Sequence, residues 1–315
     1  MHVLWRQGTL AIEGAGPARL AYNSQHLAYI REYYLYCVDL FAQAFERYGR
    51  AVDVTFGNYG VNFGAKRPSL RIDIQHEHTL VKPGGRDSAG APLGTIPLPD
   101  GSGNYLVRLA GYAYLKTLDT VIEYSRPNLV NLRDCGFFDH YLSRVAHVAP
   151  LLFDAQLACG DRDITVLSLI YDLTQPRRKR FYELARGAGM PIRNVRNVFD
   201  KQGLCRLYDR TRILVNLRQT DHHDTLEELR VLPALLGGVV VVSEDVPLRK
   251  TIPYYRSIVW TDYAGLVDTV RDVHRDYERY HRRLFGDGAF TAVVAEMVES
   301  NRANVDAAVR RMLCL

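Results

Sequence analysis

Arg177, Arg178, Lys179 and Arg180 follow directly on DITVLSLIYDLTQP, a stretch that reads as a buried strand running out at Asp172. In open α/β sheets ligands collect at the carboxyl edge of the strands. Guanidinium forks match phosphate oxygens in pairs. Positive side chains at a helix start oppose the helix dipole, so a bound anion there would relieve a conflict. Arg177, Arg178 and Lys179 are therefore candidate ligands for a diphosphate.

A second cluster, TDHHDTLEELR, follows the apolar strand RILVNLR. Asp224 or Thr225 can cap the helix that begins there, and Glu227 and Glu228 fall in its first turn. Capping explains one acid but not so dense a group. A carboxylate can hold the vicinal hydroxyls of a ribose. The backbone N–H groups of Asp224, Thr225 and Leu226 can meet a second phosphate or a sugar. The adjacent His222 and His223 do not read as a metal site, because neighbouring residues seldom point at one centre.

In the first half, His76, Glu77 and His78 close the strand-like segment LRIDIQHEHTLV and open a long Gly- and Pro-rich loop that includes Lys82 to Arg86. Such loops are usually functional. Asp73, His76, Glu77 and His78 are candidates for a general base, in no fixed order.

These residues need elements to position them. With 315 residues, 47% of them hydrophobic and 24% charged, the chain suits two globular units. The first half mixes short strands with one amphipathic helix. In that helix Leu27, Ile30, Tyr34, Val38, Phe41 and Phe45 share a face, Ser24 is the expected N-cap and Gly49 the stop. Leu70 to Val81 alternates with period two and is expected to be one strand. TVIEYS and HVAPLLF read as further strands, and residues 150–162 as a linker. The second half alternates strand and helix, with ITVLSLIYD, IRNVRNVF, RILVNLR, VVVVSE and SIVWTD as strands, the signature of a parallel sheet covered on both faces. Charged amphipathic helices are expected over Leu266–Leu284 and Phe290–Leu315.

A formal charge of +5, from 40 basic and 35 acidic residues, suits small anions better than nucleic acid. No apolar run is long enough to cross a bilayer, and the first residues lack the pattern of a signal peptide. The five cysteines are scattered, without metal-ligand spacing, and suggest a reducing, cytoplasmic setting.

The second half resembles the nucleotide-sugar-binding domain of GT-B glycosyltransferases. The likeness lies in the order of QPRRKRF, NVRNVFD, LYDRTRILVNLR and TLEELRVLPALLGGVVVVSE. TVIEYSRPNLVNL and HVAPLLF are similar to the end of a GT-B N-terminal domain. The resemblance implies two Rossmann-like α/β domains facing across a cleft: residues 1–155 on the acceptor side, 156–285 on the donor side, and a C-terminal helix over 286–315 packing back on the first. It implies transfer of a sugar from a nucleotide-sugar donor to a glycan or glycoconjugate hydroxyl, with no cofactor and no metal. Arg177, Arg178 and Lys179 would meet the diphosphate, Glu227 or Glu228 the ribose or sugar, and the loop of His76, Glu77 and His78 would face the acceptor. The chain departs from many retaining members, which carry a second glutamate further along the donor helix; Leu235 and Leu236 stand eight positions after Glu227 and Glu228. The chain could be one module of a larger glycan-synthesis protein. The competing readings are a nucleic-acid-binding or nucleic-acid-modifying protein, a non-catalytic sugar-nucleotide or polysaccharide scaffold, and a metal-dependent hydrolase using the histidines.

Overall fold

The computed structural model describes residues 2–61, 63–64, 67–81, 94–97, 101, 103–157, 161–219 and 225–315. The first half opens with an antiparallel meander of β1 (His2–Gln7), β2 (Leu10–Ala15) and β3 (Ala18–Asn23). Helix α1 (Arg31–Tyr48) crosses to β4 (Asp53–Phe56), which runs parallel to β3. β5 (Ser69–Gln75) continues the sheet, and β6 (Leu80–Val81), β7 (Gly94–Pro97) and β8 (Asn104–Val107) form a separate antiparallel sheet ordered β6-β8-β7. After the short α2 (Tyr112–Leu115), β9 (Thr120–Glu123) returns beside β5. Helices α3 (Arg126–Asp134) and α4 (Asp139–Leu142) lead to β10 (Val145–His147). The main sheet has seven strands, ordered β1-β2-β3-β4-β5-β9-β10 and parallel from β3 onward.

The second half is a five-stranded parallel sheet, ordered β12-β11-β13-β14-β15. Along the chain it runs β11 (Ile164–Ser168), α5 (Pro176–Gly187), β12 (Ile192–Asn194), α6 (Lys201–Asp209), β13 (Thr211–Asn216), α7 (Glu228–Leu236), β14 (Val240–Glu244) and β15 (Ile258–Thr261). Helices α8 (Leu266–Arg275) and α9 (Tyr277–Phe285) complete it, and α10 (Ala289–Met312) follows them. Two α/β units thus face one another across a cleft, the fold class expected from the sequence.

The central strands explain the composition. β14 is buried along its whole length, as a strand covered on both faces must be. Gly237 and Gly238 end α7 because the linker passes there. Gly238 sits at φ +66°, and a Cβ on it would lie 2.9 Å from the Gln156 carbonyl. Gln156 N–H donates to the Leu236 carbonyl at 2.7 Å, and Arg162 Nη2 donates to that of Gly237 at 2.9 Å.

α10 lies on the first half. The Asn301 side chain accepts from Ala149 N (2.8 Å) and donates to Ala149 O (2.9 Å) and Tyr36 Oη (3.0 Å). Asp306 accepts from Arg47 and Tyr48, both on α1.

Several local expectations change. Helix α1 starts at Arg31, not after Ser24. Asn23 Oδ1 accepts from Gln25 N, and Leu27 adopts a left-handed conformation at φ 52°, which breaks any earlier helix. Leu70–Val81 is not one strand. β5 stops at Gln75, and Leu80–Val81 joins the small antiparallel sheet. Ile72 to Gln75 are all buried, so the alternation does not separate a core face from a solvent face. IRNVRNVF yields only Ile192–Asn194, because Asn197 turns the chain at φ 59°. HVAPLLF contributes only His147 to β10, which begins at Val145. The Leu266–Leu284 helix is broken at Asp276 into α8 and α9.

Candidate functional site

The carboxyl edges of the two sheets enclose a cleft of about 630 Å³, ample for a small-molecule substrate. From the first half it is lined by Tyr29, Glu32, His76, Glu77 and His78, and from the second by Asp172, Arg178, Arg196, Gln219, Glu227 and Arg230. Its remaining wall is mainly apolar, including Ile30, Leu152, Val198, Phe199, Leu204 and Leu229.

Helix geometry sorts the basic run, since successive side chains leave a helix about 100° apart. Arg178 points into the cleft and is buried. Arg177 turns the other way. Its guanidinium clamps Glu244 at the end of β14, with Nη1 to Oε2 and Nη2 to Oε1 both at 2.5 Å, and stacks 4.0 Å from the Tyr263 ring centre. Arg218 N also donates to Glu244, at 2.8 Å. Arg177 therefore ties α5 to β14 and does not face the cleft. Lys179 projects into solvent, 4.0 Å from Glu183 one turn on.

The acidic run divides in the same way. Glu227, at the N-cap of α7, faces the cleft. Glu228 is 3% exposed and turns away from it, accepting from Tyr254 Oη at 2.8 Å. Burial pushes its carboxyl up to about 7, against the pull of Ser125, Tyr254 and Arg126. Leu226 is a core side chain and offers only its backbone. Thr225 is buried with its hydroxyl on His78 Nδ1. Asp224, together with His222 and His223, lies outside the described residues, as does the stretch Lys82 to Arg86.

On the facing side, His78 Nε2 lies 3.1 Å from Glu227 Oε1, so this ring spans the cleft with both nitrogens engaged. Burial works to discharge His78, but Glu227 and Glu77 outweigh it and raise its pKa. Burial likewise opposes ionisation of Glu227; His78, Arg230 and Arg178 outweigh it and hold the carboxylate well below its ordinary range. His76 Nε2 meets the Tyr29 hydroxyl and lies 3.5 Å from Glu77 Oε1. That contact with His76 lowers the pKa of Glu77, against a smaller effect of burial. Asp73 does not line the cleft. The residue is 5% exposed, and its carboxylate is taken up by Tyr114 Oη (2.8 Å), His26 Nε2 (3.1 Å) and Ile74 N (2.8 Å).

Sequence reasoning passed over Arg230, Arg196 and Tyr29. Arg230 had a visible signal: it stands three residues after Glu227, hence on the same face of α7. Burial depresses Arg178, and the charge of Arg230 depresses it further, with Glu227 and Asp172 opposing. The Arg178 Nε is buried without a hydrogen-bond partner. Arg178 Nη1 donates to the Asp172 carbonyl at 3.2 Å and Arg230 Nη1 to Asn216 Oδ1 at 3.3 Å, so two mutually repelling guanidiniums stand at this sheet edge. Among the described residues no group of three or more His, Cys, Asp or Glu could hold a metal ion, and no helix is long and apolar enough to cross a membrane.

The chain matches no protein-family model. Over 80 residues it is 30% identical to an uncharacterized protein of Acanthamoeba polyphaga mimivirus, a match covering 24% of this chain and 29% of that protein. Among solved structures it is similar to TarM, with a TM-score of 0.42 and 6% identity, over 79% of this chain and 54% of that one. It is also similar to an S. aureus TarM mutant in complex with fondaparinux, α-GlcNAc-glycerol and UDP, with a TM-score of 0.44 and 7% identity, over 83% of this chain and 54% of that one. The chain thus spans less than a third of the viral protein and about half of the TarM chains.

Proposed function

We propose that the chain is a glycosyltransferase that moves a sugar from a nucleotide-sugar donor to a hydroxyl of a glycan or glycoconjugate. The observation that carries this reading is the convergence of Arg178, Arg230 and Glu227 on the parallel-sheet side of a cleft whose opposite wall presents His76 and Glu77. A diphosphate beside the two arginines would offset their repulsion. Glu227, ionised at neutral pH, would accept from ribose or sugar hydroxyls. As the leaving diphosphate gains charge, the guanidiniums would stabilise it without a metal.

For an inverting reaction the acceptor hydroxyl must lose a proton to a base. Glu77 suits that role better than its neighbours. Its side chain is 42% exposed and lines the cleft, and the His76 contact that lowers its pKa makes it a weaker but fully ionised base. His78 is occupied at both ring nitrogens and Asp73 is enclosed, so neither is proposed as the base.

A thermal-shift screen with UDP, GDP, CDP and TDP tests the donor site. A ligand at 100 times its dissociation constant stabilises the native state by about 2.7 kcal/mol. At least one nucleotide is expected to raise the melting temperature, and Arg178→Ala or Arg230→Ala to remove most of the rise. If none shifts the wild-type melt, the donor assignment is wrong.

A further inference from the structure

His78 differs from the other polar residues of the cleft. It belongs to the loop between β5 and β6 in the first half, yet its ring nitrogens both meet residues of the second. Nδ1 meets the Thr225 hydroxyl and Nε2 lies 3.1 Å from Glu227 Oε1. Thr225 and Glu227 immediately precede α7, whose N-cap side chain makes no capping hydrogen bond of its own. In this way one ring fixes the start of the helix that carries both Glu227 and Arg230.

We propose that His78 is a clasp: it positions Glu227 and the start of α7 only when the two halves are closed, so that closure and assembly of the donor site are a single event. The part played by nucleotide in this event rests on the donor-site reading above; the contact between the halves does not. His78 is a positioning residue, acting on substrate through Glu227. A donor-binding state that exists only when the clasp is made lowers apparent affinity by the fraction of molecules left open.

The clasp is also sensitive to pH. The charged groups acting on His78 are Glu77 and Arg108 from its own half and Glu227 from the other. Arg178 and Arg230 act in turn on Glu227. Since the pKa of His78 is raised in the closed form, its contribution is full below the ordinary imidazole value and is lost as pH rises through the raised one.

The test is a fluorescence energy-transfer pair across the cleft, with labels at Asp134→Cys on α3 and Lys179→Cys on α5, both exposed. The native cysteines are changed to serine or alanine, and wild type, His78→Ala and His78→Gln are compared from pH 5.5 to 8.5. Wild type should be closed at the low end and open progressively with rising pH. His78→Ala should be open throughout. His78→Gln retains a donor for Glu227 but cannot titrate, and should remain partly closed with a flatter pH profile than wild type. Loss of one such charge-assisted bond should weaken nucleotide affinity about tenfold or more.

A structural role alone would lower the melting temperature of His78→Ala without changing transfer efficiency or its pH profile. That result, or identical profiles for all three proteins, overturns the clasp. A wild-type profile that depends on His78 while no nucleotide binds upholds the clasp and overturns the donor reading alone.

Discussion

Neighbouring residues in this chain do different work. Arg177 and Arg178 are adjacent, yet one neutralises the 1%-exposed Glu244 side chain and the other faces the cleft. Removing one partner of a buried ion pair typically costs about 3–5 kcal/mol, because the other charge is left uncompensated. Arg177→Ala is therefore expected to lower the melting temperature strongly. Arg178→Ala, which removes a buried cation already depressed by its neighbour, should preserve the melt and abolish nucleotide binding. Denaturation and titration of the two variants check this; equal loss of binding with equal stability would refute it. The sequence made the cations and acids legible as a group, since types and spacing carry that much. It could not say which member faced the cleft, because that depends on a helix rotation set by Glu244, Tyr263 and Tyr254, all distant in sequence. Asp73 misled for a related reason: a carboxylate in the middle of a parallel sheet looks available until His26 and Tyr114 are folded against it.

Among the elements, α7 and its flanking turns determine the site. Glu228 opens the helix toward β9, where burial raises Glu123 to about 8, with the charge of Glu228 adding to the effect and the bonds from Ser125, Asn128 and Gln75 opposing it. Both acids are protonated in the native state at pH values where an unfolded chain is ionised. The native state therefore holds more protons between the ordinary carboxylate range and about pH 7 to 8, so stability falls as pH rises through that window. Glu228→Gln can keep the bond from Tyr254 and is expected to flatten this decline in melts from pH 5 to 9; an unchanged slope would count against it. Gly238→Ala combines a left-handed backbone with a close approach to the linker. An unstrained Gly→Ala change stabilises by about 0.4–1 kcal/mol, whereas this one should destabilise by more than that amount, as urea titration would reveal. The parallel strands were readable because β-branched runs such as VVVV leave few alternatives. The broken β5–β6 segment was not, because alternation signals a half-exposed strand and β5 is covered on both faces over Ile72–Gln75.

At the scale of the whole molecule, two α/β units are joined by more than the linker. His78 meets α7 across the cleft, and α10, the last helix, bonds to α1 and to Ala149. Asn301 is buried and satisfies both backbone groups of Ala149. Asn301→Leu would leave them unpaired at a cost of about 1–3 kcal/mol each. Faster amide exchange in α10 than in β14 is the expected consequence, and uniform exchange through both would contradict it.

The proposed transfer of sugars in this cleft is open to direct measurement. Purified protein incubated with UDP-, GDP-, CDP- and TDP-sugars in the presence of EDTA, with a panel of glycan acceptors, tests it by mass spectrometry of donor and acceptor. Release of nucleotide with gain of one sugar mass on an acceptor is expected for at least one pairing, with loss of that product in Arg178→Ala and Glu77→Gln. A product that persists in both variants, or no product from any pairing, would contradict it.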